Sequence, residues 1–576
     1  MKNSKFLSLA VIALIALFLG SCGGIKKMKK NAELVSYTVT PKILEMHADS
    51  VEISISGKFP PKYFNKKVII EATPVIKYKD GEKAYKVQKL QGEKVEDNNT
   101  VISYVDGGSF SYTDKIPYDK GMRISDLEVR ISGYKAGHED KKLDFDPKKI
   151  ADGVIATPGL VQADAKAIMG KDKFQRIIPE SKSADIHFAI QQAVIKSKEL
   201  KQDDIKALQA YIDEVNKNER KEFKGINLSA YASPDGGLDL NTKLAGNRAK
   251  STEKYLKKEL KGVEAASKEG FVTESTTAED WDGFKQLMET SDVADKDLIL
   301  RVLSMYSDPD VREKEIKNIS KAYLEVADKV LPQLRRSKLN VNVDLIGYSD
   351  DEITKIFNEK PDSLKLEEML YAATLTNDFN QKLKVYQQVV KTYPSDWRGP
   401  NNVGYAYVNL NKIDDAKKAF EDAKKLDESN PIIINNCGVI ALMKGETDKA
   451  EEKFKAASGA GSEVNYNLGI VSIKKADYAG AVNYFGDACS FNAGLAKLLN
   501  EDNDGAVKAV DCAKDKDSAM NYYLKAIAGA RSSDTDMMYN NLRAAISKDA
   551  TLANLAKTDM EFGKYFTDDT FKTIVK

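Results

Sequence analysis

The chain has 576 residues, 42% of them hydrophobic and 30% charged, with a formal net charge of +1. That length calls for several domains, and the composition is that of folded globular protein. The near-neutral balance excludes the strong basic field expected of a nucleic-acid binder. His47, His138 and His187 are far apart, so no metal-ligating cluster is expected. After Cys22 only Cys437, Cys489 and Cys512 remain, without Cys-x-x-Cys spacing. An odd count cannot pair fully, and the three read as buried, small apolar side chains in helices. No cofactor is indicated.

Lys2 and Lys5 precede an apolar run from Phe6 to Leu19, too short to span a bilayer comfortably. Residues 1–21 read as a signal peptide. The run ends in Leu19-Gly20-Ser21-Cys22, which resembles the lipobox of bacterial lipoproteins; the resemblance implies cleavage before Cys22 and its lipidation. Residues 22–32, with Lys26, Lys27, Lys29 and Lys30, then read as a lipidated basic tether suited to an anionic membrane surface. No acidic patch follows the Cys, which points to the periplasmic face of the outer membrane. No second long apolar run follows.

Residues 33–140 carry short β-branched runs such as Val51-Glu-Ile-Ser-Ile-Ser and Leu127-Glu-Val-Arg-Ile-Ser, split by Gly, Pro, Asn and Asp clusters. This spacing predicts an all-β sandwich acting as a spacer or interaction domain. Residues 141–183 are polar, hold Pro147, Pro158 and Pro179, and read as a connector.

A strand from Ala184, a helix near Lys201–Asn216, a strand at Ile226–Tyr231, a helix near Leu238–Leu260 and an alternating run Lys338–Tyr348 predict an α/β domain over 184–350. Within it, 261–337 reads as a helical insertion with an apolar stripe of Trp281, Phe284, Leu287 and Met288. Asn241, Leu244, Arg248 and Ala249 follow a Pro-Asp-Gly-Gly turn at the spacing of the peptidoglycan-associating domain of the OmpA family, which this segment resembles. The resemblance implies that Arg248 clamps a carboxylate of the peptidoglycan stem peptide through paired hydrogen bonds. Ser233 stands where that family has its ligand-binding Asp, and Asp235 is the candidate substitute. Asn241 and Arg248 share a helix face. The alternative is structural: Asn241 caps the helix, and Arg248 pairs with Glu253 or the sheet.

Gly404, Ala416, Phe420 and Ala423 recur as Gly438, Ala450, Phe454 and Ala457, a shift of 34, and as Gly469, Ala481, Phe485 and Ala488, a shift of 31. Such small–aromatic–small positions let paired helices pack closely, and the period resembles tetratricopeptide (TPR) repeats over 363–550. An all-α solenoid with a capping segment at 551–576 is expected. Asn401, Asn402, Asn435, Asn436, Asn465 and Asn467 cluster just before the repeat glycines. Amides both donate and accept, so a groove lined by them suits the backbone of an extended peptide; the alternative is that they are solvated residues at weak helix starts.

Neither Gly-x-Ser-x-Gly, His-Glu-x-x-His nor a phosphate-binding Gly-x-x-x-x-Gly-Lys-Ser/Thr motif occurs. The plan is that of an outer-membrane-anchored periplasmic scaffold whose OmpA-like domain associates with peptidoglycan and whose repeats recruit a protein partner. Two alternatives stay open. One is a non-enzymatic subunit of an outer-membrane assembly or secretion complex that does not bind peptidoglycan. The other is a cell-wall or glycan-acting enzyme.

Overall fold

The computed structural model describes residues 23–576; the predicted signal peptide and Cys22 lie outside the described residues. Two compact units share the chain: one takes the residues up to Lys171 together with Asn377–Lys576, the other Asp172–Thr376. Among the described residues no helix is long and apolar enough to cross a membrane.

The first unit opens with helix α1 (Gly23–Lys30). Its Ile25 and Met28 are 6% and 2% exposed in the core of the following strands, and Met28 O accepts the Tyr63 hydroxyl at 3.0 Å. The expected tether is thus a docked helix from Gly23 on, because two apolar side chains three apart give it a face to bury. Strands β1 (Ser36–Thr40), β2 (Ile43–His47), β3 (Ser50–Phe59), β4 (Val68–Tyr78), β5 (Gly81–Ala84), β6 (Gln88–Gly92), β7 (Thr100–Ile102), β8 (Gly108–Pro117), β9 (Ser125–Lys135), β10 (Leu143–Asp144) and β11 (Lys148–Ile155) follow. The order is β1-β3-β2-β11-β9-β4-β6-β7, with β8 on β3. Strand β2 joins the two halves: residues 43–45 pair with β11 and residues 46–47 with β3. In β3, Val51, Ile53 and Ile55 are buried while Glu52, Ser54 and Ser56 face water, the alternation of a half-covered sheet.

The strands run to Ile155 rather than stopping at 140, so the first part of the expected connector belongs to this domain. The register of β11 shifts between Lys149 and Ala151 and again between Asp152 and Val154. These irregularities break the period of two that would mark a strand in sequence.

In the second unit, β12 (Ile177–His187), α2 (Asp203–Lys217), β13 (Lys221–Tyr231), α3 (Leu238–Glu259), β14 (Val272–Thr277) and β15 (Arg336–Ile346) build a sheet of order β12-β15-β13-β14. β13 and β14 are parallel, and β15 is antiparallel to both of its neighbours. Leu208 and Ile212 of α2 and Ala249 and Leu256 of α3 pack on Ile226, Leu228, Leu339 and Val341. Strand β12 starts at Ile177 instead of Ala184; it is an edge strand with a mostly exposed first half, which accommodates Pro179. The other edge, β14, is polar Val-Thr-Glu-Ser-Thr-Thr, which leaves the insertion only the helices between Trp281 and Leu334. Those helices close a core of their own around Phe284, Met288, Ile299 and Val330, with Trp281 and Leu287 partly buried against it.

The repeat helices belong to the first unit and begin at Phe379, not 363. They pair as α4 (Arg398–Asn409) with α5 (Ile413–Leu426), α6 (Pro431–Met443) with α7 (Thr447–Ala456), and α8 (Ser462–Lys474) with α9 (Tyr478–Phe485). Next come α10 (Phe491–Leu499) with α11 (Asn503–Asp511), and α12 (Ala519–Ser532) with α13 (Thr535–Lys548). The repeat glycine is a close-approach position. A Cβ on Gly404, Gly438 or Gly469 would stand 2.5, 2.7 or 2.7 Å from the ring of Phe420, Phe454 or Phe485. Leu552, Phe562 and Phe571 of the C-terminal segment close the end of the same core.

Cys489 and Cys512 form a disulfide, which corrects the reading of buried thiols. Both lie exposed near helix ends, where repeat geometry brings two connecting segments together; Cys437 is free and half-buried.

Candidate functional site: an asparagine-lined groove and its strap

Residues 161–171, Val-Gln-Ala-Asp-Ala-Lys-Ala-Ile-Met-Gly-Lys, carry no regular secondary structure. They run extended along the first helices of successive repeats, where Asn side chains take up their backbone. Asn402 Oδ1 accepts the Gly170 N–H at 2.7 Å, and its Nδ2 donates to Gly170 O at 2.9 Å. Asn436 makes the same pair with Ile168 at 2.7 and 2.8 Å, and Asn467 with Lys166 at 2.6 and 2.9 Å. Asn492 repeats it with Gln162, both bonds 2.9 Å. Each amide thus meets the N–H and C=O of one residue, as a neighbouring strand would.

A second row supports the first. Asn401 Nδ2 donates to Ile168 O (3.2 Å) and Asn435 Nδ2 to Lys166 O (3.1 Å). Asn401 Oδ1 accepts from Asn436, and Asn435 Oδ1 from Asn467, at 2.9 and 3.0 Å. All of these asparagines are 0–1% exposed. Amides so deeply buried persist only when paired, and here the strap is the partner.

Side chains of the strap add grip. Ala165 and Ile168 are 9% and 7% exposed within the repeat core. The Tyr386 hydroxyl donates to Met169 Sδ. Tyr466 donates to Asp164 Oδ2 at 2.8 Å; burial and that carboxylate hold its phenol well above the ordinary range, so it remains a donor. At Gly170 a Cβ would stand 2.8 Å from Arg398 Cγ and 3.1 Å from the Trp397 ring, so only glycine passes there unobstructed.

Of the six asparagines expected to line a groove, five do so. Asn465 is exposed, on the other side of its helix from Asn467. Asn492 escaped sequence reasoning, although a signal existed: Asn402, Asn436, Asn467 and Asn492 each stand two residues before Gly404, Gly438, Gly469 and Gly494. The occupant is the chain's own connector.

Ser233, Asp235 and Asn241 lie together at one turn, and the polar groups there, with those of Arg248, are taken up within the chain itself. Asn241 Nδ2 donates to Ser233 O and Gly236 O, at 3.2 and 2.8 Å, and fixes the turn. Arg248 is 0% exposed; it donates to Tyr231 O (2.7 Å), Gln192 O (3.1 Å) and Ala189 O (3.5 Å) and lies over the Phe188 ring. Burial, helped by the nearby Arg335 charge and opposed by Asp235, lowers its pKa to about 10. It does not pair with Glu253, which holds Lys257. Ser233 donates to Asp235, whose other oxygen accepts from Arg335 Nη2 at 3.1 Å, and Arg335 Nε reaches Ser233 Oγ at 3.2 Å. Arg335, one residue before β15, is the member of this cluster that sequence analysis missed.

The tetratricopeptide repeat family matches residues 401–430. A curated relative, the BBSome complex member BBS4 of Bos taurus, is 28% identical over 113 residues, 19% of this chain and 22% of that protein. The match thus spans about a fifth of that relative's length. Similar solved structures include pilF of Pseudomonas aeruginosa (16% identity, 38% of this chain, 97% of that one, TM-score 0.28). PilW, a type IV pilus biogenesis factor, gives 14% identity over 38% of this chain and 100% of that one, TM-score 0.28. YrrB, a TPR protein with an unusual peptide-binding site, gives 17%, 28%, 91% and 0.21 in the same order. The matched segment holds most of α4 and all of α5, with Asn402, Gly404 and Phe420, and the next three helix pairs repeat that Asn-x-Gly spacing: the chain carries tetratricopeptide repeats.

Proposed function

We propose that this protein is a non-enzymatic scaffold of the cell envelope, lipid-anchored through Cys22 at the periplasmic face of the outer membrane. Its repeats lock the connector to the β-domain and offer their remaining surface to a protein partner. The observation that carries this reading is the strap. A peptide groove filled by the chain itself, with Thr157 donating to buried Glu561 beyond the strap's N-terminal end, makes β-domain and repeats one rigid platform. The lipobox-like Leu19–Cys22 supports the anchor, and the Cys489–Cys512 disulfide fits an oxidising compartment.

The sheet order and the Asn241–Arg248 spacing support an OmpA-like second unit. Arg248 spends its donors on main-chain carbonyls, and Asp235 is neutralised by Arg335. This favours the assembly-subunit reading, in which that unit does not hold peptidoglycan. Sedimentation with purified peptidoglycan tests the choice: wild-type protein is expected to stay in the supernatant. Pelleting that Arg248→Ala abolishes would restore the wall-binding role. Crosslinking in intact cells tests the scaffold: one defined protein is expected on the repeats, lost with the membrane fraction in Cys22→Ser. No partner, or turnover of muropeptides, overturns the proposal.

A further inference from the structure

We propose that the end of the β-domain that carries α1 is a membrane-contact surface for anionic lipid headgroups; this deepens the lipid-anchor reading and rests on it. The docking of α1 leaves no slack. Cys22 is one residue from a helix whose Ile25 and Met28 are buried in the β-core, and one residue reaches only about 3.5 Å. A lipid on Cys22 therefore brings the domain itself to the bilayer surface.

What lies beside α1 is basic. The segment around residues 62–67 is fixed to the helix by Tyr63 donating to Met28 O and by the Asn65 N–H reaching Met28 Sδ at 3.4 Å. The turn at 92–95 follows, with the Lys94 N–H on Lys66 O at 2.8 Å, and the 103–107 loop with the Lys62 N–H on Tyr104 O at 2.6 Å. This joined set exposes Lys26, Lys27, Lys30, Lys62, Lys67 and Lys94. Glu93 pairs with Lys66 at 2.8 Å and the exposed Asp146 with Lys29 at 3.3 Å, while Glu96 and Asp97 stand exposed just after the 92–95 turn. Asp106 is exposed in the 103–107 loop, so the exposed lysines outnumber the exposed carboxylates. Val101 on β7 and Val105 in the 103–107 loop are 56% and 58% exposed, apolar side chains of the size that enter a headgroup layer. Lysines held within about a Debye length of anionic lipid are attracted together, and salt screens that attraction.

The test uses the chain from residue 23 to 576, all that the structure describes and free of any lipid, in flotation with vesicles. Vesicles of phosphatidylcholine alone are compared with vesicles in which about a third is phosphatidylglycerol. Flotation with the anionic vesicles only, lost at high salt, is expected. Lys62→Gln, Lys67→Gln and Lys94→Gln together should lower the partition at least about tenfold, while Lys417→Gln, Lys418→Gln and Lys508→Gln on the repeats leave it unchanged. No flotation, equal flotation with both vesicles, or equal loss in the two triple variants overturns the proposal. Because this chain lacks Cys22, its failure is distinct from a failure of the anchor, which the mass of the mature N-terminus in cells reports.

Discussion

Asn436→Ala removes one clamp from the middle of the strap. The wild-type side chain accepts the Ile168 N–H and donates to Ile168 O and Asn401 Oδ1, at 2.7, 2.8 and 2.9 Å, in a place with no solvent access. Ile168 O keeps a second donor in Asn401 Nδ2, but the Ile168 N–H and Asn401 Oδ1 are left unpaired. A buried orphaned polar group costs about 1–3 kcal/mol, so the pair should weaken the strap's docking by about 3 kcal/mol. Hydrogen exchange over residues 161–171 reads this directly: exchange should quicken on the order of a hundredfold, and trypsin should gain access after Lys166 and Lys171. Asn436→Asp keeps an acceptor for Ile168 N–H but sets a carboxylate against Ile168 O, and should release the strap as well. Asn465→Ala, at the exposed asparagine of the next repeat, should change nothing. If Asn436→Ala exchanges within about twofold of wild type while the far-ultraviolet helix signal is intact, the amide ladder does not hold the strap and the reasoning fails.

Gly438→Ala places a Cβ 2.7 Å from the Phe454 ring and should destabilise the repeat unit by about 1–3 kcal/mol; Phe454→Leu in the same chain should recover part of the loss, and thermal unfolding of both variants checks it. Burial, with the charge of Glu561 beside it, raises the Asp559 pKa to about 6 from 3.8, against the hydrogen bonds from Tyr523 and the Glu561 N–H and the charge of Arg123. The folded chain then binds this proton more tightly than the unfolded one, so stability falls as pH rises from about 4 through 6 and levels above. Asp559→Asn should flatten that slope and add up to about 3 kcal/mol at neutral pH; denaturant unfolding at several pH values measures it, and an unchanged slope would discount the buried carboxyl.

The repeat period was legible because it is steric: Phe420, Phe454 and Phe485 each need a residue without a side chain opposite, and Gly404, Gly438 and Gly469 answer at constant spacing. The asparagines were legible as backbone binders because an amide has both halves of the bond. Their ligand was not. Main-chain recognition leaves little mark on the bound sequence beyond small side chains, so Val161–Lys171 looked like linker. The first half of edge strand β12 and the whole of β14 escaped for a related reason, since a strand covered on one side only can be polar over much of its length. Arg335 escaped because the fold alone brings it to Ser233 and Asp235 across the insertion.

A strap tied into the same chain competes on unequal terms with any peptide in solution. Its effective concentration at the groove is on the order of millimolar, so a free peptide at micromolar concentration and equal affinity fills the groove about one time in a thousand. The clamps cannot redress this by selectivity, because the four bidentate pairs read only N–H and C=O. Recruitment through the groove therefore requires the strap to leave first, which would also free the segment joining the β-domain to the repeats. Recruitment on the repeats' outer surface requires no such step and keeps that joint rigid, which is the arrangement a scaffold needs.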